Sequence, residues 1–219
     1  MMNDNPSPRR KGGRPARADA QKLQLAILDA AEDIFLEHGF SNGAIDTIAA
    51  KAGTSKQTIY ARFGSKEALF IAVSNRMLAP RFDHIFVSDR PLRDALIHVA
   101  EQILTAMLDS KMVRMHGIIM AEAARFPQLA KLSDEDQHFP GRAALLTVLD
   151  RDPMTSPIST ADKHRMMLML QDMILAGPLR SAGLGLHIPP LEEQREHAKM
   201  AVDIFLGGVQ SAFPATATQ

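Results

Sequence analysis

The 219-residue chain contains no cysteine. That excludes disulfides, thiolate nucleophiles and cysteine-based zinc or iron–sulfur sites, and it suits a reducing cytoplasm. Long apolar runs are also missing, so no segment reads as a membrane span, and Arg and Pro crowd the N-terminus where a secretory leader would carry an apolar stretch. Period-two alternation is absent throughout, which leaves no convincing strand. Catalytic and cofactor signatures are missing as well. There is no HExxH pair, AGLGLH (Ala182 to His187) lacks the third glycine and the preceding strand of a dinucleotide loop, and Gly64-Ser65-Lys66 has no glycine-rich lead-in. SDEDQH (Ser133 to His138) reads as a solvated loop, and no spacing selects a nucleophile with its base. The sequence predicts no enzyme, no metal site and no cofactor.

What the chain does have is helical periodicity from end to end. A stripe of Leu23, Ile27, Ala30, Ala31, Ile34 and Phe35 predicts a first helix over about Asp19 to His38, stopped by Gly39. Two short patterns follow, Ala44 to Ala52 and Lys56 to Phe63, with Gly53 between them. Ala49 is small enough for two helices to cross closely, Gly53 suits the positive φ of a tight turn, and Ile48, Ala52 and Ile59 form a mini-core. Ser65 is placed to cap a fourth helix carrying Glu67, Leu69, Phe70 and Val73. Beyond it, helical runs cover 91–108, 112–126, 128–149 with a break near Pro140, 160–176 and 191–206. The expectation is an all-α chain of about nine helices.

The outward face of the second short helix carries Lys56, Gln57, Thr58, Tyr60 and Arg62, every one a hydrogen-bond donor. Zero net charge for the whole chain conceals a local asymmetry. From Lys51 to Lys66 there are four basic residues and no acid, and phosphates meet local charge rather than the sum. A helix of this kind enters the major groove with its first turns at base edges. Gln57 and Thr58 are the candidates for base contact, with Lys56 and Arg62 as further ones. Tyr60 is better placed for a phosphate, and Lys66 adds charge at the start of the fourth helix, where backbone N–H groups favour anions. The bland alternative is a solvated polar face. In the basic arm RRKGGRPAR (Arg9 to Arg17), Gly-Arg-Pro suits insertion of Arg14 into a narrow A·T-rich minor groove, or else the arm is a non-specific solubilising tail.

AILDAAEDIFLEHGF (Ala26 to Phe40) through YARFGSKEALF (Tyr60 to Phe70) resembles the DNA-binding domain of the TetR family of bacterial transcriptional regulators. The Tyr60, Phe63 and Lys66 spacing carries much of that likeness, and RFPQLAKL (Arg125 to Leu132) resembles the AefR-like C-terminal subgroup. The resemblance implies a phosphate role for Tyr60. It also implies a homodimer joined through the last two long helices, Thr160 to Ala176 and Leu191 to Leu206, which leaves the middle helices to line a pocket. One departure stands out: the family usually has Ser or Thr just before its second helix, whereas Gly43 and Ala44 stand here. Asn42 or Ser41 would then cap that helix, and Thr47 would supply the missing phosphate contact.

Methionines gather late in the chain and suit an adaptable apolar pocket or a core. Met107, Met115 and Met120, with the polar His98, His116 and Arg125, are the expected ligand-facing residues. Met166, Met169 and Met173 share a face that would equally suit a partner subunit. The expected organisation is a flexible basic arm (1–17), a three-helix helix-turn-helix domain (18–66) and a helical effector-binding and dimerisation bundle (67–219). The expected function is a cytoplasmic, bacterial, sequence-specific regulator of double-stranded DNA, a repressor released by a small apolar or amphipathic molecule. Its rivals are an activator of the same build, a sequence-indifferent architectural DNA-binding protein, and an all-helical enzyme or binding module.

Overall fold

The computed structural model describes residues 14–82, 90–134 and 139–213, with the side chains of 14–17, 131–134 and 140 outside that description. Among these residues all regular structure is helical. In chain order the helices are α1 (Arg14–Asn42), α2 (Ile45–Lys51), α3 (Lys56–Phe63), α4 (Lys66–Phe82), α5 (Leu92–Met107), α6 (Ser110–Glu122), α7 (Pro127–Asp134), α8 (Pro140–Arg151), α9 (Thr160–Gly183) and α10 (Leu191–Ala212). Two compact units divide the chain, Met1–Phe70 and Ile71–Gln219.

In the first unit, α1 begins at Arg14 rather than near Asp19. Pro15 falls in the first turn, where its missing N–H costs nothing, and Ala16, Ala18 and Ala20 are strong helix formers. Part of the segment expected to be a flexible arm is therefore helix. Gly39 interrupts α1 at φ +78° and ψ 175°, after which the chain makes one further turn to Asn42. The expected stripe faces inward. Ile27, Ala30, Ala31, Ile34 and Phe35 are buried, and Leu23 is half-buried. Phe35, Phe40 and Phe70 close the core as a trio, with edge-on ring pairs 5.1 and 5.2 Å apart and a tilted pair at 6.1 Å. Each such pair contributes roughly 0.5–1.5 kcal/mol beyond area burial.

The second unit is a bundle in which α5 packs against α8, α9 and α10. Leu96, Val99, Ala100, Ile103 and Leu104 of α5 are fully buried, as are Leu145 and Leu149 of α8, Met167, Leu170 and Ile174 of α9, and Ala198 and Val202 of α10. Arg93 ties α5 to α10 by a two-pronged bond to Asp203, at 2.6 and 2.9 Å. That bond holds the Asp203 carboxyl below its ordinary pKa. The break near Pro140 is present, and Pro140 opens α8 in its first turn. SDEDQH lies in or against residues 135–138, outside the described side chains.

Helix α9 runs past its expected end at Ala176, straight through Pro178 to Gly183. Proline has no N–H, so the Ile174 carbonyl loses its normal partner four residues on. His197 of α10 fills the gap, its Nε2 lying 3.0 Å from the carbonyl oxygens of both Met173 and Ile174. Both partners are acceptors, so Nε2 carries the proton. A histidine on the neighbouring helix thus satisfies the carbonyl that proline leaves open.

Candidate DNA-reading surface and ligand cavity

The reading surface is set by turn chemistry. Gly53 sits at φ +65° after α2, and Thr54 N–H closes the turn onto the Ala49 carbonyl at 3.0 Å. Ile48, Ala49 and Ile59 bury the seam between α2 and α3. Ser55 caps α3 by accepting the Thr58 N–H at 3.1 Å, which fixes where the first turn begins. Gly64, at φ +82°, ends the helix, and Ser65 caps α4 by accepting the Ala68 N–H at 3.1 Å. Lys51 bridges to Asp33 of α1 at 2.9 Å.

Gln57, Tyr60 and Arg62 of α3 are exposed, with Tyr60 at 39%. Two neighbours are more constrained. Lys56 donates to Asp46 of α2 at 3.1 Å, and that hydrogen bond first, then the Asp46 charge, holds its ammonium above the ordinary lysine pKa. Half-buried Thr58 has its hydroxyl 2.9 Å from that of Ser55, so its methyl is the part with fewer commitments. Arg62 Nη1 donates to the Ala20 carbonyl at 3.3 Å. Lys66 is half-buried, donates to the Ser41 carbonyl at 3.0 Å and lies 4.9 Å over the Phe40 ring. It therefore staples the end of α1 to the start of α4. Thr47 is exposed in the first turn of α2. Arg14 opens α1, and its side chain lies outside the described residues, as does the arm before it.

The cap expected for α2 is not there. Ala44, rather than Asn42 or Ser41, occupies the N-cap, and it makes no side-chain hydrogen bond. Packing explains the absent serine or threonine at Gly43. A β-carbon there would lie 2.6 Å from the Phe35 ring and 2.9 Å from the Gly39 carbonyl oxygen. The aromatic core takes the space that a side chain at Gly43 would need.

The second unit holds a cavity of about 600 Å³. Met107 of α5, Met112, Met115, His116, Ile119 and Met120 of α6, and Leu175 and Leu179 of α9 line it, with Ser74 and Leu78 of α4. Four of the six expected ligand-facing residues, Met107, Met115, His116 and Met120, therefore share one site. Burial pushes the His116 imidazole pKa down, which keeps it neutral near pH 7. His98 does not join them. It bonds Gln102 at 2.6 Å within a separate polar groove that also holds Arg81 and Asp109. Arg125 is exposed, with its guanidinium 5.4 Å over the Phe126 ring, and it is not part of this cavity's lining. A further correction concerns α9, which was expected to serve only the dimer and yet forms a wall through Gln171, Leu175 and Leu179.

Sequence reasoning missed Arg142 and Gln171. Arg142 is only 5% exposed, and its Nε donates to the Gln171 Oε1 at 2.7 Å. The signal was available: Arg142, Leu145 and Leu149 fall on one helical stripe, so a charge stands where an apolar residue is expected.

Among the described residues no helix is long and apolar enough to cross a membrane, and no cluster of metal-ligating side chains is present. A serine-capped helix held across a glycine turn, with its polar face outward, defines a helix-turn-helix DNA-binding protein. Residues 27–73 match the family described as bacterial regulatory proteins, tetR family, and residues 94–208 match the AefR-like transcriptional repressor C-terminal domain. The chain belongs to the TetR family of transcriptional regulators, and it is a DNA-binding regulator rather than an enzyme. It is 31% identical over 96 residues to the HTH-type transcriptional repressor BepR of Brucella suis, a match covering 44% of this chain and 46% of that protein. The aligned part is thus less than half the length of that curated relative. A TetR-family regulator from Mesorhizobium loti superimposes with a TM-score of 0.71 at 26% identity, covering 90% of this chain and 98% of the other. The Flavonoid-responsive Regulator FrrA gives 0.70 at 28% identity, covering 86% and 97%.

Proposed function

We propose that this chain is a cytoplasmic, homodimeric repressor that binds a palindromic operator and leaves it when a small apolar or amphipathic molecule enters the cavity of the second unit. The observation that carries the reading is the outer face of α3. Gln57, Tyr60 and Arg62 stand exposed on a helix whose register is fixed by Ser55 and whose inner side is anchored by buried Ile59. In this reading Gln57 pairs with adenine and the Thr58 methyl meets thymine. Lys56 and Arg62 add charge near the bases. Tyr60, Thr47 and Lys66 hold phosphates, and Arg14 reaches the flanking minor groove.

Dimerisation is supported by apolar side chains left in solvent on α9 and α10: Met169 at 65% exposure, Met200 at 62% and Ile204 at 61%. A two-fold dimer would set its reading helices about one DNA turn, ~34–36 Å, apart. Repression is the mode named for BepR. A flavonoid response is named for FrrA, and it supports an amphipathic effector here. The ligand must bind the released state more tightly than the bound one, with typical coupling of about 1–3 kcal/mol.

Selection of bound fragments from random DNA near physiological salt tests the reading. A palindrome with fixed half-site spacing is expected, and Gln57→Ala should relax preference at particular base pairs by about 1–3 kcal/mol each. Fragments with no shared motif would favour a sequence-indifferent architectural protein instead.

A further inference from the structure

Methionine, leucine and isoleucine make up much of the cavity wall, but its ionisable members are uneven. They are Arg142, Arg180, Asp172 and His116. Burial keeps His116 uncharged near neutral pH, which leaves two guanidiniums against one carboxylate on the lining. Arg180 and Asp172 are exposed to solvent, whereas Arg142 is withdrawn from it. A guanidinium is costly to bury, and its place in this wall requires compensation from hydrogen bonds. One of these is the Nε–H to Gln171, which ties the plane of the guanidinium on α8 to an amide on α9.

We propose that the cavity takes an amphipathic organic acid, its carboxylate read by Arg142 and its apolar body laid along the Met107, Met112, Met115 and Leu175 wall. The proposal rests on the reading of the second unit as an effector domain and narrows the effector's class. A planar fork of five N–H donors matches the two oxygens of a carboxylate, and its charge does not vary with pH. Arg142 already has neighbours beyond the ligand, so the carboxylate shares the guanidinium with Gln171 and those neighbours rather than finding it bare. A bound acid would draw on the α8–α9 junction directly. That gives the effector a physical hold on α9, the helix assigned above to the dimer.

The test is calorimetric titration of the full-length protein with a chain-length series of ω-phenylalkanoates, their matched primary amides and their matched amines. The best acid should bind at least about tenfold tighter than its amide, a ~1.4 kcal/mol preference, and the amines should not bind. Arg142→Gln should bring the acid down to the amide's affinity and leave the amide unchanged. Leu175→Trp, which fills the cavity, should abolish binding of both. The wild-type comparison stands even if Arg142→Gln fails to fold. Amide binding as tight as acid would overturn the head-group assignment and leave the effector cavity intact. Acid preference surviving in folded Arg142→Gln would remove Arg142 from the role. If neither series binds the wild type, or if binding ignores Leu175→Trp, the cavity reading itself fails.

Discussion

The two units of this chain solve opposite problems with the same element. In the first, the joints on either side of α3 are set by glycine turns and serine caps. Gly53 and Gly64 take positive φ, Ser55 and Ser65 cap the next helix, and three phenylalanines fill the core edge-on. In the second, a cavity wall rich in methionine and leucine surrounds a withdrawn arginine, and one of the unit's long helices carries a proline repaired from a neighbouring chain segment. A surface that must meet a fixed groove geometry benefits from the first design. A site that must accept a molecule and change state benefits from the second, because flexible side chains fill irregular space at low cost.

The sharpest way to break that comparison is to open the rigid core. Phe35 is fully buried and holds both Phe40 and Phe70. Phe35→Ala should cost about 3–5 kcal/mol, through lost burial and the cavity left behind. Urea unfolding followed by circular dichroism measures it. A loss below ~1.5 kcal/mol would mean that the aromatic trio is as forgiving as the methionine wall, and the contrast would collapse.

Next in size is the repair of α9. His197→Leu removes the donor that serves the Met173 and Ile174 carbonyls, leaving the latter without the backbone partner that Pro178 cannot supply. The expected loss is about 1–3 kcal/mol. Adding Pro178→Ala should return part of it by restoring the missing N–H. Two losses that simply add would show that the histidine serves some other purpose.

Much of the first unit was legible in the sequence because its instructions are local. Gly53, Ser55 and Ser65 act within a few residues of themselves, so spacing alone gave α3 and the start of α4. Most of the misreadings are tertiary. Nothing near Gly43 in sequence announces that the Phe35 ring occupies the space of its absent side chain. Pro15 lies in the segment expected to be a flexible arm, yet it is harmless in a first turn. In the second unit, periodicity found the helices but could not decide which faces meet. Met107, Met115, His116 and Met120 line one cavity, while His98 faces a different groove and Arg125 stands in solvent. Helix α9 was given to the dimer, although one helix has enough faces to serve two neighbours.

Lys66 is a smaller test on the rigid side, because it joins a structural place to a proposed DNA role. Its bond to the Ser41 carbonyl and its place over Phe40 make it part of the frame. Lys66→Ala should lower stability by about 1.5 kcal/mol at the most, given its partial exposure. It should also weaken binding to all DNA about equally and flatten the salt dependence by roughly one unit of slope. Changed base preference with unchanged salt slope would mean that it touches no phosphate and acts only by placing α3.

The mildest expected effect lies in the cavity wall, and there the comparison is most exposed. Met115 is fully buried, as Phe35 is, so burial alone predicts that both positions are equally sensitive. Wall chemistry predicts otherwise. Met115→Leu conserves volume and keeps an apolar surface, and such exchanges usually cost less than ~1.5 kcal/mol. Leucine, however, has fewer rotatable bonds and cannot follow a ligand's outline as the thioether can. Stability should therefore hold while the affinity order along a ligand series is rearranged, with longer bodies losing more than shorter ones. Unfolding curves and titrations on the same variant separate the two. If stability falls by as much as in Phe35→Ala, Met115 belongs to a jigsaw core and the second unit owes its adaptability to something else. If neither quantity moves, this stretch of wall is not where the ligand rests.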